Sequence, residues 1–104
     1  MTVYVDQLPE GWGRWSGGAH MLTSNLDELH AMARQIGLRR LWFQDKTFPH
    51  YDLTKGKRTQ ALALGAVPIE LGEHPDDVLM RCPDGSYERR SERMARRVPG
   101  RSDA

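Results

Sequence analysis

Short apolar runs alternate with two helical patterns along the first seventy residues. Residues 2–6, a β-branched and aromatic run that ends in an acid, predict a strand, and residues 19–23 predict a second short strand. Apolar side chains then recur at the spacing of one helix face, which predicts a helix over residues 25–36 that Gly37 can terminate. The apolar members of this pattern are Leu26, Leu29, Ala33 and Ile36.

The second half of the pattern is less regular. Residues 38–44 predict a strand, residues 45–52 a loop, and residues 53–64 a second helix that ends at Gly65. Residues 66–70 predict a further strand. Because Pro68 lacks a backbone N–H, this strand should lie at a sheet edge or begin late. The turn signal at residues 83–85 can join two short strands, at about residues 78–82 and 86–89.

This order of elements predicts an α/β fold: a small sheet of four to five strands, partly parallel, with two main helices. Residues 1–90 are expected to form a single domain and residues 91–104 a basic, weakly ordered tail. Ligand sites in such folds lie at the carboxyl ends of parallel strands. We expect Asp6, Gln44, the 45–52 loop and the N-termini of both helices to gather at that end.

Composition narrows the classes of protein. Fifteen basic and fourteen acidic residues give a net charge of +1, and a single cysteine excludes an internal disulfide and a multi-cysteine zinc site. No apolar run is long enough to cross a membrane, and the first residues lack the features of a signal peptide. We therefore expect a cytoplasmic protein without a membrane partner. The short chain has a limited core, which leaves a homodimer open.

Several short motifs together resemble a known family. They are Tyr4-Val5-Asp6, His20-Met21, Leu26-Asp27-Glu28-Leu29-His30, Ile36-Gly37-Leu38, Trp42-Phe43-Gln44, Pro49-His50-Tyr51-Asp52-Leu53, Lys57-Arg58 and Ala63-Leu64-Gly65-Ala66. Over about residues 2–67 the chain resembles DUF4031, small bacterial and bacteriophage proteins of unknown function. The resemblance implies no established activity. It does imply that the polar residues of these motifs recur in the family: Asp6, His20, His30, His50, Tyr51, Asp52, Lys57 and Arg58.

The segment before the second helix is the first candidate site. His50, Tyr51 and Asp52 precede the helix, and Lys57 and Arg58 lie one turn inside it. A helix N-terminus with basic side chains can bind a phosphorylated or nucleotide-like anion. In this hypothesis His50, with His20 or Asp6, is the acid/base centre, and Tyr51, Asp52, Lys57 and Arg58 bind substrate. In the alternative, Asp52 caps the helix, Tyr51 packs, and the two basic residues are solvated.

The same residues leave metal binding open. His20, His50, Asp6 and Asp52 suit zinc, manganese or iron by ligand type, although no pair has a close ligand spacing. A histidine that completes a hydrogen-bond network at a strand end is the favoured alternative. His30, on the apolar helix face, is expected to be a core residue whose N–H can reach Asp6.

A different class of function is a nucleic-acid-binding accessory protein. Residues 86–104 carry six arginines against three acids, and aromatic residues that can stack bases are spread along the chain: Trp12, Trp15, Trp42, Phe43, Phe48 and Tyr51. A solubilising tail and core aromatic residues are the alternative to this hypothesis. A third possibility is an interaction module whose histidines are structural. The sequence leaves open whether the protein is an enzyme and whether it needs a cofactor.

Overall fold

The computed structural model describes residues 2–11 and 13–102, with side chains described as far as Arg96. The strands are β1 (Val3–Val5), β2 (Ala19–Thr23), β3 (Tyr51–Leu53), β4 (Val67–Pro68), β5 (Leu79–Arg81) and β6 (Tyr87–Arg89). The helices are α1 (Leu26–Gln35), α2 (Lys55–Ala63) and α3 (Arg90–Ser102), and single 3-10 turns lie at Gly13–Trp15 and Arg40–Trp42. The predicted α/β class is confirmed.

The main sheet has the strand order β3-β2-β1-β4. The pairings β1·β2 and β2·β3 are antiparallel, whereas β1 and β4 are parallel. Strand β4 lies at the edge, as its proline requires. Because two antiparallel steps restore the direction, β1 and β3 run the same way and end at the same side of the sheet.

The core lies between this sheet and the first two helices. Alternate residues of β1 and β3 are buried, and they pack with Leu29, Ala33 and Ile36 of the α1 region and Ala61 of α2. The cap of α1 is Asn25, whose side chain accepts from the Glu28 N–H at 3.1 Å. The cap of α2 is Thr54, which accepts from the Lys57 N–H. Both predicted helices are therefore confirmed.

Strands β5 and β6 form a separate two-stranded sheet, which confirms the predicted hairpin. Helix α3 follows β6 directly, where the sequence favoured a weakly ordered tail. Its first turns are held by Glu88, which pairs with Arg93 at 2.7 Å and also with Arg96. These ion pairs hold the pKa of Glu88 well below its usual range, at about 2. The division into a domain and a tail stays a prediction.

The predicted strand at residues 38–44 is wrong. After Gly37, which has a φ of 83°, the chain forms a 3-10 turn whose backbone donors are satisfied locally: Trp42 N–H donates to Arg39 and Phe43 N–H to Arg40. From this segment Gln44 alone forms a β-bridge, with His50. The strand lies later, at Tyr51–Leu53, inside and just beyond the predicted loop.

The expectation that both helices begin at one end of the sheet is also wrong. Strand β2 runs antiparallel to β1, so it delivers α1 to the opposite end, where the Ser24 N–H donates to the Thr2 carbonyl at 2.9 Å. Helix α2 follows β3 and does start on the side of Asp6. Within the described residues, no helix has the length and apolar character needed to cross a membrane.

Candidate metal centre

Three neighbouring strands bring three polar side chains together. Asp6 follows β1, His20 lies in β2, and Asp52 in β3 is the direct cross-strand partner of His20. The backbone N–H of Asp6 donates to the His20 carbonyl at 3.3 Å, which continues the β1·β2 ladder to this point. The register of the sheet therefore fixes the three positions relative to each other.

Asp6 orients the His20 imidazole. One carboxylate oxygen accepts from the His20 backbone N–H at 2.6 Å, and the other lies 2.8 Å from His20 Nδ1. Asp6 is buried, and this hydrogen bond raises the pKa of His20 above its ordinary value against the opposing effect of burial. Since a carboxylate only accepts, Nδ1 carries the proton, and Nε2 of the neutral ring has a free lone pair.

His50 and Asp52 are oriented in the same manner. His50 Nδ1 donates to the Phe48 carbonyl at 2.8 Å, which leaves Nε2 as the unprotonated nitrogen of the neutral ring. The Gln44 side-chain amide donates to Asp52 Oδ2 at 2.5 Å, so Oδ1 is the oxygen that faces the histidines. Gln44 is itself held beside His50 by two backbone hydrogen bonds. Each of the three side chains thus has a partner that fixes its direction.

The three oriented atoms converge. Asp52 Oδ1 lies 3.4 Å from His50 Nε2 and 3.9 Å from His20 Nε2. The two imidazole rings are edge to face, with centroids 5.3 Å apart. One ligand atom from each of His20, His50 and Asp52 lies within 4.8 Å of the others, and all three residues are half-buried. This arrangement leaves space for one small cation between them.

The distances fit a transition-metal ion. Ligand atoms about 2.0–2.1 Å from a tetrahedral Zn²⁺ are about 3.3 Å apart, close to the 3.4 Å between His50 Nε2 and Asp52 Oδ1. His20 Nε2, which lies 3.9 Å from Asp52 Oδ1, would have to move inward by about 0.6 Å. Two imidazoles and a carboxylate are also the ligand set of open catalytic zinc and iron sites. The partners Asp6, Phe48 and Gln44 supply the outer hydrogen bonds that such ligands normally have.

A cavity of about 410 Å³ opens beside both imidazoles. It is also lined by Lys46, an exposed residue, and by His74, which stacks on Phe48 with the ring centroids 3.9 Å apart. Burial and the charge of Arg90 lower the pKa of His74. Sequence reasoning did not select His74, because no motif surrounds it and it lies far along the chain from His20 and His50.

Other predicted site residues point elsewhere. Lys57 Nζ donates to the Ile36 carbonyl and Arg58 Nε to the Asp6 carbonyl, at 2.5 and 2.7 Å. Arg58 lies in a different cavity, between residues 7–10 and 68–73. Tyr51 is buried and its hydroxyl lies 2.8 Å from His30 Nδ1. The partner of His30 Nδ1 is therefore Tyr51 and not Asp6.

Two arginines of the nucleic-acid hypothesis are held in ion pairs. Arg93 and Arg96 pair with Glu88, and Trp12 and the side chains beyond Arg96 lie outside the described residues. Phe43 packs against the core beside Tyr51. The nucleic-acid hypothesis remains a prediction.

The fold and the cluster define a small α/β protein with a candidate two-histidine, one-carboxylate centre. The chain belongs to the DUF4031 family, described as proteins of unknown function, whose family model matches residues 3–80. The match confirms the resemblance seen in the sequence and extends beyond residue 67 to include His74. No curated protein and no solved structure matches the chain significantly.

Proposed function

We propose that the protein binds one divalent transition-metal ion on His20, His50 and Asp52 and is a metal-dependent hydrolase of a small phosphorylated or nucleotide-like anion. The observation that carries the proposal is the convergence of three ligand atoms, each oriented by a second hydrogen bond. A histidine kept for structure alone needs no second oriented histidine 5.3 Å away.

The centre has the character of a catalytic site. Three protein ligands leave at least one position for water or substrate, whereas structural zinc sites have four. The cavity beside the imidazoles gives that position access to solvent. A bound ion would lower the pKa of its water toward neutrality and polarise a phosphoryl oxygen.

The chain's own residues supply the rest of the chemistry. Lys46 is an exposed residue that lines the cavity, and its ammonium group can pair with a substrate phosphate. His74 faces the same cavity, and its lowered pKa keeps the imidazole neutral at neutral pH, able to accept a proton from the attacking water. Asp6 and Gln44 are positioning residues, because they act through His20 and Asp52.

Metal binding tests the proposal directly. Co²⁺ and Zn²⁺ are titrated into the metal-free chain, with calorimetry and the visible spectrum of Co²⁺ as readouts. We expect one ion per chain and a loss of at least about a hundredfold in affinity for His50→Gln and Asp52→Asn. The matched control is His30→Gln, which removes a histidine outside the cluster. Equal affinity in His50→Gln and the control would contradict the proposal.

Hydrolysis is tested separately with para-nitrophenyl phosphate and bis(para-nitrophenyl) phosphate as probes. We expect turnover that requires the ion, is abolished by a chelator and returns on addition of metal. His74→Gln should lower kcat while the affinity for Co²⁺ stays unchanged. Stoichiometric metal binding without turnover of either phosphate ester would remove the hydrolase part of the proposal and leave the metal centre.

A further inference from the structure

A second cavity, of about 570 Å³, is lined in part by Asp52. Apolar side chains form its walls, and we call it the aromatic cavity: Trp15, Leu38, Leu41, Trp42 and Phe43. It arises because the two 3-10 turns place Trp15 and Trp42 around the same space. Its volume lies in the range usual for small-molecule sites.

Two large apolar side chains in the wall of the aromatic cavity are exposed to solvent. Trp42 is 49% exposed and its neighbour Leu41 is 69% exposed. The backbone N–H groups of this 3-10 turn are paired within the turn itself. The turn therefore needs no pairing with the sheet, and the Leu41 and Trp42 side chains stay partly or largely exposed. Exposed apolar side chains gathered around a cavity are a feature of binding surfaces.

The aromatic cavity adjoins the metal centre. Asp52 and Gln44 line it, while Asp52 Oδ1 is also the atom 3.4 Å from His50 Nε2. Asp52 therefore belongs both to the proposed metal centre and to the wall of the aromatic cavity.

The charges around the aromatic cavity indicate the chemistry of its ligand. Arg14 and Lys57 line it, and the Arg14 guanidinium lies 5.0 Å from the centroid of the Trp15 ring. Two cations beside two indoles suit a ligand with a flat aromatic part and an anionic part. Lys57 Nζ donates to the Ile36 carbonyl and Arg14 lies over Trp15, but both keep their positive charge beside the cavity. A purely apolar peptide would leave those charges uncompensated. Nucleobases stack well on aromatic side chains and carry their phosphate a few ångströms away.

We infer that the aromatic cavity binds the base of a nucleotide whose phosphate is directed toward the metal centre. The inference rests on the proposed function for the position of the phosphate, and names the substrate class of that site. The base is held by Trp42 and Trp15, and the basic rim attracts the phosphate. Without an ion, repulsion by the Asp52 carboxylate offsets the attraction of the basic rim, so a nucleoside and a nucleotide bind alike. With the ion bound, the nucleotide binds more tightly.

The test uses the tryptophan indole N–H signals in two-dimensional NMR, which report each ring separately. Adenosine, adenosine 5′-monophosphate and ribose 5-phosphate are titrated into the metal-free and Zn²⁺-loaded chain. We expect adenosine to shift the Trp15 and Trp42 signals in both states. The nucleotide should bind at least about tenfold more tightly than adenosine when Zn²⁺ is present, and ribose 5-phosphate should leave the indole signals unchanged.

Trp42→Ala supplies the matched variant, because an exposed side chain can be removed without disturbing the core. Followed through Trp15, this variant should bind adenosine at least about tenfold more weakly. Leu64→Ala, an equally exposed residue outside the aromatic cavity, should bind as the unchanged chain does. Equal adenosine affinity in Trp42→Ala and the control overturns the inference.

The remaining outcomes separate this inference from the proposed function. Adenosine binding at Trp42 in a chain that binds no metal supports the base site and refutes the metal centre. Metal binding without any adenosine-induced shift refutes the base site alone. Self-association that is abolished by Trp42→Ala, with no adenosine binding, also overturns the inference and assigns the aromatic cavity to a second copy of the chain.

Discussion

Asp6→Asn is the sharpest test of how the metal centre is built. The substitution preserves size and leaves all three proposed ligands in place. In the native chain one oxygen of Asp6 accepts from the His20 backbone N–H and the other from Nδ1. Asparagine has one acceptor and one donor, so it can satisfy the backbone N–H only by presenting its NH₂ group to Nδ1. The proton of the neutral imidazole then moves to Nε2, the nitrogen that should bind the ion.

The expected loss of metal affinity follows from this change of tautomer. Loss of an outer-shell partner typically costs about 10–100-fold in metal affinity, which corresponds to about 1.4–2.7 kcal/mol. We expect the upper half of that range, because the introduced amide actively disfavours the ligating tautomer. The affinity for Zn²⁺ is measured by competition with a chromophoric chelator at pH 7.5, and circular dichroism checks folding.

Asp77→Asn is the matched control. The Asp77 carboxylate accepts a hydrogen bond at 2.7 Å from the hydroxyl of Tyr4, a β1 residue, and Asp77 does not line the cavity beside the imidazoles. It should bind Zn²⁺ as the unchanged chain does. If Asp6→Asn stays within about threefold of the control, the orienting role of Asp6 is refuted, and with it the argument that the hydrogen bonds prepare the ligands for an ion.

Three further predictions concern stability. Leu53→Ala should lower the free energy of unfolding by about 2–5 kcal/mol, because Leu53 is fully buried. Leu41→Ala, at an exposed position, should change it by no more than about 0.5 kcal/mol. Equal urea midpoints for the two variants would contradict this prediction. Gly18→Ala should destabilise the folded state by about 1–3 kcal/mol or more, since the new Cβ would lie 2.1 Å from the Leu53 carbonyl oxygen. Gly56→Ala, where a Cβ meets no atom within 4 Å, should stabilise the folded state by up to about 1 kcal/mol. Thermal unfolding measures both changes. The pKa of His20 in the metal-free chain is raised, mainly by its hydrogen bond to Asp6. The stabilisation of the folded state by the protonated imidazole is therefore complete below the unfolded pKa of about 6.5, and it is lost as the pH rises through the pKa of the folded state. His20→Gln should therefore cost more stability at pH 5.5 than at pH 8.5, and a cost that does not change with pH would refute the sign.

The helices and the central strands were predictable because their signals are local. Leu29, Ala33 and Ile36 define one face of α1 by spacing alone, and Pro68 places β4 at an edge by its missing donor. The segment at residues 38–44 was not predictable in this way. Leu41 and Trp42 have the composition of a strand, but local turn hydrogen bonds after Gly37 prevail over that propensity.

The candidate site was predictable as a set of residues rather than as a geometry. His20, His50, Asp6 and Asp52 were selected from the sequence, and the register of β1, β2 and β3 brings them together. The orienting role of Gln44 depends on a single β-bridge to His50, which no periodicity indicates. The same limit applies to His74, whose place at the cavity depends on the path of a long loop.

Cross-strand pairing of His20 with Asp52 has a consequence for folding. If β3 slipped by one residue, Asp52 would move to the other face of the sheet and the cluster would be lost. An ion would therefore bind only to chains in which β3 is paired in the native register. At a free concentration one hundred times its Kd, such an ion would add about 2.7 kcal/mol to the native state. The abundance of correctly paired protein would then follow the supply of metal in its surroundings, so the centre would couple metal availability to chain maturation.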